Sequence, residues 1–286
     1  MAERLSGKEV AAALNEKTRL RVERCREAGI VPALAILRVG EREDDLSYER
    51  GAVKRCEALG IAYRKVLFPE TAGTEELITA VRKLNDDPLV HGVLIFRPLP
   101  AHIDESAVIG ALDPAKDVDG ITDLSMAGVF MGKRIGFPPC TPQACMEILD
   151  YYNIDCTGKR VTVLGRSLVV GRPAAMLLLG KHATVTICHT RTKNVAEECR
   201  KAEILIVAAG KAGIADASYV SPGQTVIDVG IHVNESGKLC GDVLFDEAEP
   251  VVDAITPVPG GVGSVTTSVL ISHVAEAAEM LIKNQN

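Results

Sequence analysis

The sequence has no tryptophan, and tyrosine and phenylalanine bring its aromatic share to only 3% of 286 residues. That scarcity removes the stacking platforms on which single-stranded nucleic acids are held. Positive charge is also short, with 32 Lys and Arg against 38 Asp and Glu and a formal net charge of −6. Phosphate backbones and anionic membrane surfaces need clustered Lys and Arg, which no segment supplies, so neither nucleic acid nor membrane is expected as a partner. No uninterrupted apolar run approaches the ~18 residues of a membrane span, and the opening Met1-Ala2-Glu3-Arg4-Leu5 lacks a long apolar stretch. The eight cysteines include no C-x-x-C pair and lie mostly in apolar patterns such as Val185-Thr186-Ile187-Cys188, where free thiols act as small hydrophobes. A reducing, cytoplasmic setting is expected. His and Cys do not cluster at ligand spacing, so no metal is expected either.

What is present is a chain that is 47% hydrophobic and long enough for two medium domains. Apolar residues recur at helical spacing from Gly7 to Ala28, and Gly29 supplies a stop. Pro32–Val39 is a short run rich in branched residues, as suits a strand buried on both faces. Helical periodicity over Ser47–Leu59, a strand over Ala62–Phe68, a helix over Thr74–Asn85 and a buried strand over Val90–Phe96 complete a β-α-β-α-β pattern. A parallel sheet covered by helices follows. A turn-rich stretch from Asp113 to Cys140 interrupts the rhythm, and Thr141-Pro142 then reads as an N-cap and first helical position of a connecting helix to about Tyr152. The alternation restarts with strands at Arg160–Leu164, Thr184–Cys188, Ile204–Ala208 and Thr225–Val229, and helices at Arg172–Leu179 and Lys193–Lys201. A last helix, Thr266–Ile282, can return to the first domain. The expected class is therefore α/β with two domains: residues 1–139 with 266–286, and a Rossmann-type dinucleotide-binding domain over 140–265.

Between the strand and helix of that second domain lies Gly165-Arg166-Ser167-Leu168-Val169-Val170-Gly171. Glycines let backbone approach a phosphate while the first amides of the helix point at it. The spacing is not G-x-G-x-x-G, and a tight strand-to-helix connection alone would also explain it. After the next strand comes His189-Thr190-Arg191-Thr192, with no carboxylate for a ribose diol. Thr190, Arg191 and Arg166 can instead bond a 2′-phosphate, which favours NADP over NAD; a solvated loop charge is the plainer alternative for Arg191. His189 reads as a hydrogen-bonded structural residue.

These segments, with Lys116-Asp117-Val118-Asp119-Gly120, Pro139-Cys140-Thr141-Pro142, Val226-Ile227-Asp228-Val229-Gly230-Ile231, Gly241-Asp242-Val243 and Thr256-Pro257-Val258-Pro259-Gly260-Gly261-Val262-Gly263, resemble in order the signatures of the methylenetetrahydrofolate dehydrogenase/cyclohydrolase family over roughly residues 35–270. The resemblance implies oxidation of 5,10-methylenetetrahydrofolate with NADP in one-carbon metabolism, followed by hydrolysis of the methenyl product, in a homodimer formed through the cofactor domain. It makes Tyr48 the residue packing on the folate and Asp119 the carboxylate bonding its amino edge. A core tyrosine and an Asp capping the turn at Gly120 are the bland alternatives. It also implies substrate contacts at Pro98, Leu99, Pro259, Gly260 and Gly261, and cofactor contacts at Gly165, Arg166, Ser167, Val170, Gly171, Thr190, Arg191, Ile231 and Thr267.

Two positions depart from the family. Its acid/base lysine, one helical turn beyond the tyrosine, is here Ala52, and its glutamine before the proline-rich segment is Phe96. Lys54 points elsewhere on a 3.6-residue helix. Oxidation is expected to persist while hydrolysis is weak, absent or served by Arg50, Arg97 or water. A non-catalytic folate and NADP binder, or an NADP dehydrogenase of another small metabolite, are the competing readings.

Overall fold

The computed structural model describes residues 2–284. The chain opens with β1 (Glu3–Arg4) and α1 (Gly7–Glu27), followed by β2 (Ala33–Val39), α2 (Glu43–Leu59), β3 (Ala62–Phe68), α3 (Thr74–Asp86), β4 (Gly92–Ile95), α4 (Glu105–Gly110) and α5 (Asp123–Met131). Next come α6 (Cys140–Tyr151), β5 (Arg160–Leu164), α7 (Gly171–Gly180), β6 (Thr184–Cys188), α8 (Val195–Arg200), β7 (Ile204–Val207) and β8 (Thr225–Asp228). The two-residue strands β9 (His232–Val233) and β10 (Leu239–Cys240), α9 (Phe245–Ala248), β11 (Ala254–Ile255) and α10 (Val262–Asn284) complete it. Two compact units divide this chain: a first comprising 13–140 and the chain from Thr267, and a second comprising the residues up to Ala12 and 141–266.

The first unit has a three-stranded parallel sheet in the order β3-β2-β4, with Leu34 opposite both Tyr63 and Gly92. Central β2 is buried from Leu34 to Val39, as its uninterrupted apolar run requires. Leu77, Val81 and Leu84, at helical spacing on α3, pack against Leu37, Val93 and Ile95 of the sheet. Full burial of each such side chain contributes roughly 1.5–3 kcal/mol.

The second unit is a six-stranded parallel sheet in the order β1-β11-β8-β7-β5-β6, with β9 and β10 forming a separate antiparallel pair. Strand order reverses direction at β5, whose neighbours are β6 and β7, and this is where doubly wound sheets place their ligands. Residues 2–12 group with this unit rather than with the first, where the sequence reading had placed them. The cause is β1: Glu3 and Arg4 pair with Ala254 and Ile255 at the sheet edge.

Three further readings are corrected. Within the stretch read as turns, α5 forms, capped by the Thr122 hydroxyl on the Ser125 amide and closed by Gly132 at φ 62°. It buries Ser125 and Gly128 and exposes Leu124 and Phe130, the reverse of the pattern that periodicity detects. Helix α6 starts at Cys140, so Thr141 is not its cap; Pro142 still lies in the first turn, where no amide is missed. Finally, the 262–282 stretch of α10 is long and apolar enough by length and composition to cross a bilayer, though 61% of that window is buried in the protein, as befits a core helix.

The segment after β4 shows how a short motif divides its labour. Lys116 Nζ donates to the carbonyls of Leu84, Asn85 and Asp87, satisfying the end of α3. Asp117, fully buried, accepts from the amides of Ile121 (3.0 Å) and Thr122 (2.8 Å) and from Ser125 Oγ (2.7 Å). Gly120 sits at φ 67°, where a Cβ would also overlap the Pro138 backbone. Asp117→Ala, which strands three donors, is expected to cost about 2–4 kcal/mol; thermal unfolding checks it, with Asp117→Asn recovering part of the loss.

Candidate active site

In the first unit, Tyr48 is presented by α2, and the neighbouring Glu49 locks that helix to the sheet. Its carboxylate accepts from Arg38 Nε of β2 (2.9 Å) and pairs with Lys65 Nζ of β3 (2.7 Å). Burial alone would raise the Glu49 carboxyl, but Lys65 and Arg38 hold it below the ordinary range. The Tyr48 ring meets Phe96 edge-on, centroids 5.8 Å apart, and its hydroxyl shares a hydrogen bond with Thr267 of α10. Burial lifts the phenol well above its usual value, Asp119 and Cys140 add to that, and Thr267 and Arg55 oppose it. Tyr48 therefore stays protonated.

Asp119 lies two residues beyond Asp117 and takes none of the turn's amides. Burial pushes its carboxyl up to about 6; a hydrogen bond from the Cys140 thiol pulls it down, the Asp117 charge pushes it up and Arg97 pulls it down. The segment carrying it is held from behind. His273 Nδ1 lies 2.9 Å from the Val118 carbonyl, and burial lowers the His273 pKa to about 4, so the ring is neutral and donates through that nitrogen. Phe137 stacks on the same imidazole at 4.8 Å. Asp119 is thus a half-buried carboxylate that takes none of the turn's amides and whose side-chain partner is the Cys140 thiol.

The positions where the family would have lysine and glutamine are apolar in fact. Ala52 is 0% exposed and Phe96 8%. Lys54 and Arg50 are exposed, and Arg97 pairs with Glu105 at 3.8 Å. Glu105 also accepts the Leu99 amide at 2.8 Å, while Arg42 donates to the carbonyls of Arg97 and Pro98, so this proline-rich segment is fixed by its own neighbours. Sequence reading missed Arg55, seven residues past Tyr48 on the same helical face. It also missed Cys140 as the partner of Asp119. Thr267, assigned above to the cofactor, also bonds the Tyr48 hydroxyl, because the last helix brings it to α2.

In the second unit the turn after β5 needs its glycines. Gly165 adopts φ 133°, and a Cβ there would come within 3.0 Å of the Ala208 carbonyl oxygen; a Cβ on Gly171 would meet the Gly165 oxygen in the same way. Ser167 Oγ accepts from the amides of Val170 (3.1 Å) and Gly171 (3.4 Å) at the start of α7. Arg166, Ser167, Thr190 and Arg191 are exposed, and no salt bridge engages Arg166 or Arg191 among the described residues. The Arg191 amide bonds His189 Nδ1 and the His189 amide bonds Thr192 Oγ1, so His189 shapes the loop that displays Arg191. A cradle too tight for a side chain, a helix start and two open guanidiniums fit a phosphorylated dinucleotide.

The remaining motifs are architectural. Asp228 accepts from the amides of Gly230, Asp242 and Val243, and Asp242 accepts from the Gly210 amide and pairs with His232 at 2.7 Å. Gly260 has φ 106°, and its carbonyl accepts the Gly7 amide at 2.8 Å. Gly261 could not carry a Cβ beside Pro257. These glycines serve close approach of the chain to itself, next to Pro259; Ile231 is 58% exposed and touches the space above Gly263. Among the described residues no group of three His, Cys, Asp or Glu could hold a metal ion.

Comparison with known proteins matches both units. The tetrahydrofolate dehydrogenase/cyclohydrolase catalytic domain matches residues 5–119, and the NAD(P)-binding domain of the same family matches 139–282. The bifunctional protein FolD of Carboxydothermus hydrogenoformans is 53% identical over 283 residues, covering 98% of this chain and 99% of that protein. That of Clostridioides difficile is 50% identical, covering 96% of each. The crystal structure of the bifunctional methylenetetrahydrofolate dehydrogenase/cyclohydrolase FolD from Campylobacter jejuni superposes with a TM-score of 0.95 at 36% identity over 100% of both chains. A Trypanosoma brucei relative complexed with NADP and an inhibitor gives 0.92 at 33% identity over 99% of each. An NAD-dependent methylenetetrahydrofolate dehydrogenase from Saccharomyces cerevisiae, 18% identical with a TM-score of 0.77, shares the fold. With both halves matched and identity of this order sustained over nearly its whole length, the chain belongs to the tetrahydrofolate dehydrogenase/cyclohydrolase family.

Proposed function

We propose that this protein oxidises 5,10-methylenetetrahydrofolate to 5,10-methenyltetrahydrofolate with NADP, and hydrolyses the product weakly or not at all. The observation that carries the folate half is Asp119: a half-buried carboxylate beside Tyr48 that the turn does not use. Ionised above a pKa of about 6, it accepts the paired N–H donors of an aminopyrimidine, while Tyr48 and Phe96 supply an apolar wall for the ring. When bound at Gly165–Gly171, NADP supplies the nicotinamide that takes the hydride from the methylene carbon. The chain's contribution is positioning: Ser167 and the first amides of α7 hold phosphate, and Arg166 with Arg191 hold the 2′-phosphate.

Hydrolysis requires a group that takes a proton from the attacking water, worth ~10²–10⁴-fold in rate. Ala52 and Phe96 offer none. Arg55, the cation on the Tyr48 face of α2, keeps its proton at any physiological pH. A spectrophotometric assay decides the matter: the methenyl chromophore should form with NADP, more slowly with NAD, and then persist at the uncatalysed rate. Ala52→Lys combined with Phe96→Gln should raise its hydrolysis at least ~10-fold. Loss of chromophore as fast as it forms in the wild type would defeat the proposal for hydrolysis, and binding of both ligands without turnover would favour a non-catalytic role.

The domain that binds folate is assigned to residues 13–139 with the last helix, and the NADP domain to 140–265 with the amino-terminal strand. The net charge of −6 and the burial of seven of the eight free cysteines support a cytoplasmic protein without nucleic-acid or membrane partners. A homodimer is the assembly the resemblance implies, and the exposed Val233 and Leu239 of the β9–β10 pair support it by offering apolar surface.

A further inference from the structure

Cys140 is the first residue of α6 and is 2% exposed, its thiol enclosed beside the segment that carries Asp119. Sγ lies 3.3 Å from the Val118 carbonyl oxygen and 3.9 Å from His273 Nδ1, and it also hydrogen-bonds the Asp119 side chain. The backbones of the two segments touch: a Cβ on Gly120, the residue after Asp119, would come within 2.6 Å of Phe137, Pro138 and Pro139 backbone atoms. Cys140 therefore sits at a fixed place relative to the carboxylate.

A thiol has one proton to give, and the state of its three neighbours decides where that proton goes. His273 Nδ1 already carries a hydrogen, which it donates to the Val118 carbonyl at 2.9 Å, so it cannot accept another. That carbonyl is satisfied with or without Cys140. Asp119 is the one charged acceptor of the three, and a hydrogen bond to an ionised group is about twice as strong as one between neutral groups. Burial raises the thiol well above its ordinary value and the Asp119 charge adds to that, so Cys140 stays S–H and donates. When Asp119 gains a proton, the Val118 carbonyl remains in reach as a second acceptor. Other ionisable groups reach Asp119 as well: Asp117 from its own turn, Arg97 beyond β4 and the Tyr48 phenol on α2. After burial, the Cys140 bond has the largest influence on the carboxyl, ahead of Asp117 and Arg97.

We propose that Cys140 is a positioning residue of the folate site, its thiol donating to the Asp119 carboxylate and holding it ionised and oriented for the substrate's N–H donors. This rests on the folate reading of Asp119. An ionised carboxylate has about four acceptor sites, so the thiol leaves room for the pair of donors on an aminopyrimidine.

The test follows the folate KM from pH 5 to 8 in wild type, Cys140→Ala and Cys140→Ser. Removing a donor to the charged form raises the carboxyl, so in Cys140→Ala the pH at which KM weakens should move up from about 6 by roughly half to one unit. At pH 8, where the carboxylate is ionised in all three, the KM of Cys140→Ala should still be about three- to ten-fold above wild type, with the NADP Kd within about two-fold. Cys140→Ser keeps a donor in the same place and should return both the midpoint and the KM to within about two-fold of wild type. A lowered Tm in Cys140→Ala with an unmoved midpoint and KM, as for a residue that only fills space, overturns the proposal; so does a folded Cys140→Ser that behaves like Cys140→Ala. Should Cys140→Ala not fold, the S–H stretch in infrared difference spectra of wild type against Asp119→Asn reads the same bond. The stretch should rise in frequency when the charged acceptor is replaced by an amide, and an unmoved band overturns the proposal. A wild-type KM that does not depend on pH sinks the folate reading of Asp119 instead, and is seen in the wild-type arm alone.

Discussion

Gly165→Ala loses NADP binding by at least a hundred-fold while the folate unit stays folded. Alanine is strained at φ 133°, at a cost of order 1–3 kcal/mol, and its Cβ would lie within 3.0 Å of the Ala208 carbonyl oxygen, which belongs to backbone and cannot swing away. The turn must shift, and with it Arg166 and Ser167. Gly171→Ala acts from the other side, because its Cβ would strike the Gly165 oxygen. Gly180→Ala is the control: it ends the same helix with nothing within 4 Å of an added Cβ, and should bind like wild type. Titration by NADPH fluorescence reads all three. Wild-type affinity in both Gly165→Ala and Gly171→Ala would show that the dinucleotide does not use this turn.

Asp119→Asn is expected to lose kcat/KM for the folate by roughly 10²–10³-fold, since it replaces a charged acceptor with an amide that presents donors to donors. At the same time it should unfold at a higher temperature than wild type at pH 7.5. The sign follows from burial. Because burial raises the Asp119 carboxyl from 3.8 to about 6, the native state binds the proton more tightly than the unfolded chain. The stability this confers is complete below pH 3.8 and is lost as pH rises through about 6, so at pH 7.5 the fold carries the ionised, desolvated group. At 1.36 kcal/mol per pKa unit the amide relieves up to about 3 kcal/mol, an upper bound because the residue is not wholly enclosed. The stability difference should shrink toward pH 4. Substrate affinity should run the opposite way, weakening as pH falls through about 6 when Asp119 gains its proton. A pH-independent KM between 5 and 8, with no gain in Tm, would remove Asp119 from the site. Asp228 is also pushed up to about 6 by burial, against the hydrogen bonds of three amides, so only the difference between wild type and Asp119→Asn isolates one residue.

How far the chain could be read in advance varied with the range of the interactions involved. Strands β3, β5 and β6 lie where the sequence pattern put them; for β5 and β6 the reason is that β-branched residues between turn residues have few other stable conformations. Helix α2 starts a turn earlier than its apolar pattern, at Glu43-Asp44-Asp45, since acidic side chains favour the helix start without contributing to periodicity. Helix α5 escaped because its buried face is made of Ser125 and Gly128. Strands β1 and β11, two residues each, carry no alternation to detect; they exist because each finds the edge of another strand. In the site, Arg55 had a local signal that went unused, since helical spacing of seven is as telling as four.

The amino-acid sequence by itself determined the two α/β units, the glycine-and-serine turn, the lack of a carboxylate after β6 and the loss of the family's lysine and glutamine. All of these depend on residue identity or on neighbours a few positions apart, where periodicity and backbone sterics act. Tertiary structure alone decided which aspartate of Lys116-Asp117-Val118-Asp119-Gly120 holds the turn and which takes none of its amides, that Thr267 bonds Tyr48, that residues 2–12 join the second unit, and that Arg55 keeps an unpaired N–H. Each of those outcomes turns on hydrogen bonds and burial between segments far apart along the chain, and a donor or acceptor has no assigned partner until the fold brings one within about 3 Å.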